Sequence, residues 1–304
     1  MRQNPTPPPL TGASLDRAAG LRDDPDALAR MAADPTARTV VFSHDQTLFR
    51  LTESGLALEW KPLGEVTGAE PPIFLGLAGT EPRFVTRIGD AEDPEGCKYI
   101  DLRSALFSGD FEGDEAAIVS GAKAISGWHA THQRCARCGG ATKPGQGGWK
   151  RHCTECEAQH FPRTDPVVIM LVVRGDRVAV AHNVNFPDTL YSLIAGFVEP
   201  GETIEEAVRR ETWEELGIRC GRVDYLCSQP WPFPAGLMFG CIAEALDDTF
   251  TLEEAELSEA VWLDRPALAA VFRGENEKIS PPRAGAIAAS LLKDWLDGKV
   301  GYEE

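Results

Sequence analysis

The stretch that most restricts how this chain can fold runs from Gly196 to Ile218. Thr203 followed three residues later by Glu206 is a capping box, and Gly217 is a natural C-terminal stop. The spacing predicts a helix over about Thr203 to Leu216. At about 100° per residue, Ile204, Ala207, Val208, Glu211 and Glu215 share one sector roughly 100° wide. Two carboxylates one turn apart thus lie within the apolar face. Burying unpaired anions is costly, and a like charge one turn away adds to the cost, unless divalent cations hold both. Glu214 flanks the pair and can add another oxygen ligand. Glu205 with Arg209 and Glu206 with Arg210 are (i, i+4) pairs suited to a solvated face. Oxygen ligands without thiolate or imidazole suit Mg²⁺ or Mn²⁺ and leave room for substrate phosphates. The expected chemistry is therefore phosphate chemistry.

A second metal signature lies upstream. Of eight cysteines, Cys135, Cys138, Cys153 and Cys156 fall within 22 residues as two Cys-x-x-Cys knuckles, with Gly139-Gly140 giving turn freedom after the first. Four thiolates make a closed tetrahedral Zn²⁺ site, whose role is structural. Two repeats at ribbon spacing argue against a redox motif. His129, His132, His152 and His160 lie nearby as alternative ligands, but the four-cysteine set is complete without them, so they are read as surface or supporting groups. Cys97, Cys220, Cys227 and Cys241 are scattered and read as small buried apolar residues. Clustered thiols and no disulfide framework point to a reducing, cytoplasmic compartment.

Charge narrows the partners. With 47 acidic and 30 basic residues the net charge is -17, which opposes indiscriminate binding of nucleic acid or anionic membrane. The longest apolar run, Val167 to Val173, falls far short of the roughly 20 residues of a membrane span. The zinc segment runs against the trend. Between Gly121 and Arg163 the balance is +5, from Lys123, Arg134, Arg137, Lys143, Lys150, Arg151 and Arg163 against Glu155 and Glu157. These cations either solvate a small module or form an anion-binding face.

Residues 1–12, with four prolines, are expected to be a disordered tail. Residues 13–128 carry β-like runs at Thr39 to Phe42, Ile73 to Leu77 and Phe84 to Ile88, then a helical stripe at Ile118, Ala122, Ile125 and His129. Residues 129–162 hold the knuckles. Residues 163–304 open with two β-rich runs joined by a hairpin at Arg174-Gly175-Asp176 and close on a helix around Ala284 to Asp297. In Ser228-Gln-Pro-Trp231-Pro-Phe233-Pro234, prolines present two stiff aromatic rings. By composition alone a structural loop competes with a base-stacking role.

Gly196, Glu202, Arg210-Glu211, Glu214-Glu215 and Gly217-Ile218 at these spacings resemble the complete Nudix box. With the zinc ribbon and the Ser-Gln-Pro-Trp-Pro-Phe-Pro run, the chain resembles the NADH pyrophosphatase (NudC-like) branch of the Nudix hydrolases. The resemblance implies an α+β chain: an N-terminal mixed α/β domain, a four-cysteine zinc ribbon and a C-terminal Nudix α/β/α sandwich. It implies Mg²⁺ or Mn²⁺ held by Glu211, Glu214, Glu215, Glu256 and the Ala195 carbonyl, with Arg210 and Glu202 orienting. It further implies that Phe197 stacks on nicotinamide and that Gln229, Pro230, Trp231, Pro232, Phe233, Pro234, Ala235 and Gly236 line the substrate. Glu256 and Ala288 also touch substrate, and Phe161 reaches the site of a partner subunit in a homodimer. The implied reaction splits NAD(H) into nicotinamide mononucleotide and AMP and can remove NAD caps from RNA. Thr212 departs from the usual aliphatic residue, Gly236 from a serine and Phe161 from a tyrosine. Two rival readings are a broader hydrolase of ADP-ribose or dinucleoside polyphosphates and a nucleotide-sensing regulator, against which the intact glutamates weigh.

Overall fold

In the computed structural model, residues 5–187 and 189–302 are described. The chain divides into two units. One comprises residues 10–164 with residues 230–235, the other residues 5–9, 165–229 and 236–302.

In the first unit, α1 (Pro25–Ala32) precedes a seven-stranded sheet. The strands are β1 (Arg38–Ser43), β2 (Gln46–Thr52), β3 (Gly55–Leu58), β4 (Trp60–Pro62), β5 (Ile73–Ala78), β6 (Glu81–Ile88) and β7 (Cys97–Asp101). The expected runs are β1, β5 and β6. β1 and β6 pair in parallel, with Val40 opposite Val85, while the other pairs are antiparallel. α2 (Leu102–Ser108) and α3 (Gly113–Thr131) follow. The predicted stripe Ile118, Ala122, Ile125 and His129 is the buried face of α3.

The ribbon strands β8 (Thr142–Gly145), β9 (Lys150–Cys153) and β10 (Gln159–His160) form a meander that belongs to the same unit. Its anchor is Arg151, which is 1% exposed. Arg151 donates to both oxygens of Glu70 at 3.0 and 3.1 Å, to the Thr142 hydroxyl and to the Thr142 carbonyl. His129 is buried beside it and bonds the Gly148 carbonyl through Nε2. His129 is buried, as the helical stripe predicts, and Arg151 is not a solvated cation of the ribbon: two buried polar side chains use their hydrogen bonds to join the ribbon to Glu70 and to α3.

In the second unit, β11 (Asp165–Arg174) and β12 (Arg177–Asn183) are joined by the expected tight turn, with Gly175 at φ 58°. β13 (Ile194–Phe197), α4 (Ile204–Leu216), β14 (Cys220–Trp231), β15 (Gly236–Ala245), β16 (Leu257–Asp264), α5 (Arg265–Phe272) and α6 (Ile287–Leu296) complete it. The strand order is β14-β15-β11-β12-β16, with β13 on β11 and β11 parallel to β15. Alternation along β11 sorts the core. Val168, Met170 and Val172 join Ala207, Val208 and Leu216 of α4, while Ile169, Leu171 and Val173 join Ile287, Leu291 and Trp295 of α6. An apolar run without polar alternation is what a strand buried on both faces requires, and the result is an α/β/α sandwich.

Residues 5–12 are not a loose tail. The Thr6 amide and hydroxyl both bond Asp294 at 2.7 Å, Lys299 bonds Asp294 at 3.0 Å, and Leu10 is buried. A proline run loses little backbone entropy when it is laid down, so two or three good hydrogen bonds suffice to fix it. Among the described residues no helix is long and apolar enough to cross a membrane.

Candidate active site

Both predicted caps of α4 are present. Thr203 accepts from the Glu206 amide, Glu206 accepts from the Thr203 amide, and Gly217 takes a left-handed conformation at φ 66°. The helix packs Ala207 and Val208 on the sheet, which carries Glu211 and Glu215 inward with them. Thr212 is fully buried and gives its hydroxyl to the Val208 carbonyl at 2.7 Å. The exchange of an aliphatic residue for threonine is thus absorbed inside the helix, away from the carboxylates.

Gly196 of β13 faces Glu211 so closely that a Cβ there would lie 1.9 Å from the carboxylate carbon. Strand and helix approach through a position only glycine can fill. Ala195 beside it is exposed and opposes Ile169.

Arg210 is the hub of the site. Nε and Nη2 grip the two oxygens of Glu202 at 2.7 and 2.9 Å, and Nη2 also bonds the Phe197 carbonyl at 2.9 Å. Nη1 reaches Glu211 at 2.8 Å and Glu214 at 2.9 Å. The hydrogen bonds to Arg210 pull Glu202 down to about 2. The same bonds, with that to Glu202 foremost, push the guanidinium further up. Glu215 has no such partner and is 5% exposed. Burial first, then the charges of Glu211, Glu256 and Glu214, raise it to about 8. Glu211 is also raised, by burial against the pull of Arg210. Glu256, exposed in the turn before β16, acts on both through its charge. Among the described residues, Arg210 thus serves a cluster of acids, while the buried Glu215 has no cation bonded to it. That donor set fits divalent metal, which would supply the missing positive charge.

The four cysteine thiols of the ribbon lie within 4.8 Å of one another. Sγ separations of 3.4 Å (Cys138–Cys153) and 3.7 Å (Cys135–Cys156) close the tetrahedron, and amides of Arg137, Gly140, Glu155 and Cys156 point at sulfur. Such N–H groups stabilise thiolate, as a Zn²⁺ site needs. His160 reaches the Cys135 sulfur at 3.3 Å, as a supporting group.

The other expected residues fall in different surroundings. Phe197 and Phe161 are each 62% exposed, with Lys150 over the Phe161 ring. Residues 230–235 pack with the N-terminal core, against α2: Trp231 meets Phe233 edge-on at 4.9 Å and Phe107 at 6.3 Å, and Arg103 covers Phe233 at 4.5 Å. Pro232, Phe233 and Pro234 line a cavity of about 380 Å³ with Asp45, Asp101, Arg103, Lys123 and Gly127. Ala235 and Gly236 are half-buried at the start of β15. Gln229 and Ala288, which the resemblance places at the substrate, are both buried. Gln229 is fully buried, its amide donating to the Pro9 and Gly285 carbonyls and its carbonyl accepting from the Ile287 amide. Ala288 is 2% exposed within the α6 cluster. The resemblance implies substrate contact for Gln229, and its hydrogen bonds tie it to the start of α6. The sequence reading passed over the turn at residues 183–187, whose Val184 amide bonds the Glu256 carbonyl at 2.9 Å.

A Nudix box on a capped helix, clamped under a glycine strand in an α/β/α sandwich, defines a Nudix domain. Family models agree: the NUDIX domain matches residues 163–282, the NADH pyrophosphatase zinc ribbon domain residues 130–161, and the NADH pyrophosphatase-like rudimentary NUDIX domain residues 36–128. The NAD-capped RNA hydrolase NudC of Mycobacterium bovis is 34% identical over 95% of this chain and 94% of its own length. NudC of Pseudomonas putida is 35% identical over 76% of this chain and 79% of its own. The human NAD-capped RNA hydrolase NUDT12 is 39% identical over 60% of this chain, a match that spans 42% of the longer human protein. The chain belongs to the NADH pyrophosphatase (NudC) family of Nudix hydrolases.

Proposed function

We propose that the chain hydrolyses the diphosphate of NAD(H) to nicotinamide mononucleotide and AMP, and removes NAD from the 5′ ends of capped RNA. The carboxylate cluster of Glu211, Glu214, Glu215 and Glu256 near Arg210 carries this reading, because it gathers oxygen donors about a buried carboxylate in a chain with the family's ribbon. Glu211, Glu214, Glu215, Glu256 and the Ala195 carbonyl would hold Mg²⁺ or Mn²⁺. When bound, the metal would supply positive charge to the diphosphate and lower the barrier to attack by water. The protein's own part is positional. Glu202 fixes the Arg210 guanidinium, Arg210 fixes Glu211, Glu214 and the Phe197 carbonyl, and a glutamate of the cluster takes the proton of the attacking water. Phe197, exposed and with its carbonyl bonded to Arg210, would stack on nicotinamide.

The ribbon holds one structural Zn²⁺. The active species is a homodimer in which the exposed Phe161 of one protomer completes the site of the other, and eight unpaired cysteines suit the reducing cytoplasm. The test is product analysis on NADH, ADP-ribose and NAD-capped RNA side by side with Mg²⁺ or Mn²⁺. Nicotinamide mononucleotide and AMP should form from NADH, with NADH and capped RNA well preferred to ADP-ribose. Equal turnover of ADP-ribose would sink the nicotinamide selectivity.

A further inference from the structure

The carboxylate cluster has a neighbour that the reaction above leaves unused. After β12 the chain makes a turn over residues 183–187 that is closed by its own hydrogen bonds. The Asn185 amide donates to the Asn183 side chain at 3.0 Å, and the Phe186 amide to the Asn183 carbonyl at 2.9 Å. His182 braces the far end, with Nε2 on the Pro187 carbonyl at 3.1 Å and Nδ1 on the Ser258 hydroxyl at 2.7 Å. The Val184 amide ties the turn to Glu256, whose charge acts on Glu211 and Glu215. A turn held this way is ordered before any ligand arrives, so contact with it costs little further entropy.

What the turn presents is apolar. Val184 is 43% exposed and Phe186 38%, on an element bonded directly to a residue of the cluster. Phe197 is another exposed aromatic of this border, on β13, with its carbonyl held by Arg210 and its neighbour Gly196 against Glu211. Two aromatic side chains are thus offered by different elements that both border one set of acids. A dinucleotide has matching chemistry, with a planar base at each end of its diphosphate. If the diphosphate lies over the carboxylates and Phe197 takes nicotinamide, the second plane is left for the second base.

We propose that Phe186 is a specificity-determining contact for the adenine base, an assignment that rests on the NAD(H) diphosphatase reading. Adenine has no charge to pair and a large π-face, so an exposed ring on a rigid turn recognises it by stacking. The experiment uses the full chain with Mg²⁺ or Mn²⁺ and two substrates, NADH and its analogue lacking the adenine base. Phe186→Ala should raise KM for NADH about tenfold, within the range of one base-on-aromatic stack, with kcat within about twofold. The same change should nearly abolish the preference for NADH over the adenine-less analogue, and Phe186→Tyr should restore it. Melting temperatures of both variants show whether the fold is kept. An equal loss on both substrates, or an unchanged KM for NADH in a folded Phe186→Ala chain, overturns the assignment alone. Failure of the unsubstituted chain to split NADH overturns the diphosphatase reading, and this assignment with it.

Discussion

Glu215 shows at one residue what the site requires. Its carboxyl titrates at about 8, chiefly through burial, against an ordinary 4.5. Without metal, the folded chain therefore holds this proton more tightly than the unfolded chain. The stabilising effect is complete below about pH 4.5 and is lost as pH rises through about 8. Metal-free melting temperatures should fall across that window. Glu215→Gln should flatten the fall and add up to a few kcal/mol near pH 8, at about 1.4 kcal/mol per pKa unit. With Mg²⁺ or Mn²⁺ present the same variant should lose roughly 100-fold or more in kcat, because a ligand carboxylate has become a neutral amide. Melting curves from pH 4 to 9 and steady-state rates on NADH test both halves, and an unchanged pH slope or unchanged turnover would refute the buried-ligand role.

At the scale of the element, the ribbon and α3 depend on one buried cation. Arg151 joins β9 to Glu70, 81 residues away, and to His129 of α3 through a 2.6 Å contact with Nδ1. Arg151→Met should cost about 3 kcal/mol, since it leaves buried acceptors unpaired, and should speed zinc loss to a chromogenic chelator. Glu70→Gln should cost less, about 1 kcal/mol, because that side chain is 36% exposed and water can replace much of the pairing. Equal zinc release from Arg151→Met and the unsubstituted chain would show that the ribbon does not rely on this anchor. Such an anchor was not legible in the sequence. α4, the β11–β12 turn and the thiol cluster follow from rules that act within a few residues, so capping residues, a glycine turn and paired knuckles announced them. Arg151 looked like one more surface cation, and Thr6 with Asp294, 288 residues apart, looked like loose chain facing an ordinary helix acid. Pairing across such distances leaves no periodicity to read. The aromatic-proline run was legible as stiff, yet nothing in its composition said that Trp231 and Phe233 would pack with the N-terminal core.

For the whole molecule, the net charge of -17 limits how the proposed capped-RNA substrate would be engaged. Of the cations that give the zinc segment its +5, Arg151 is buried on Glu70, and the Lys123 side chain is 11% exposed and lies 3.7 Å from Asp101. The five that remain, Arg134, Arg137, Lys143, Lys150 and Arg163, are too few in a chain of this charge for a track along the strand, and contact with one or two phosphates is expected. A protein that neutralises many phosphates loses several orders of magnitude in affinity between 50 and 200 mM salt, whereas two contacts on single-stranded RNA predict a loss of less than about tenfold. Long-range repulsion, which the same salt screens, offsets part of even that loss. The expected result is that kcat/KM on NAD-capped RNA changes less than about tenfold over this range and that on NADH changes less still. Arg134→Glu with Arg137→Glu should remove most of the difference between the two substrates while NADH turnover persists. A fall of a hundredfold or more on capped RNA would mean that an extended basic surface exists after all, and that recognition reaches well beyond the dinucleotide end.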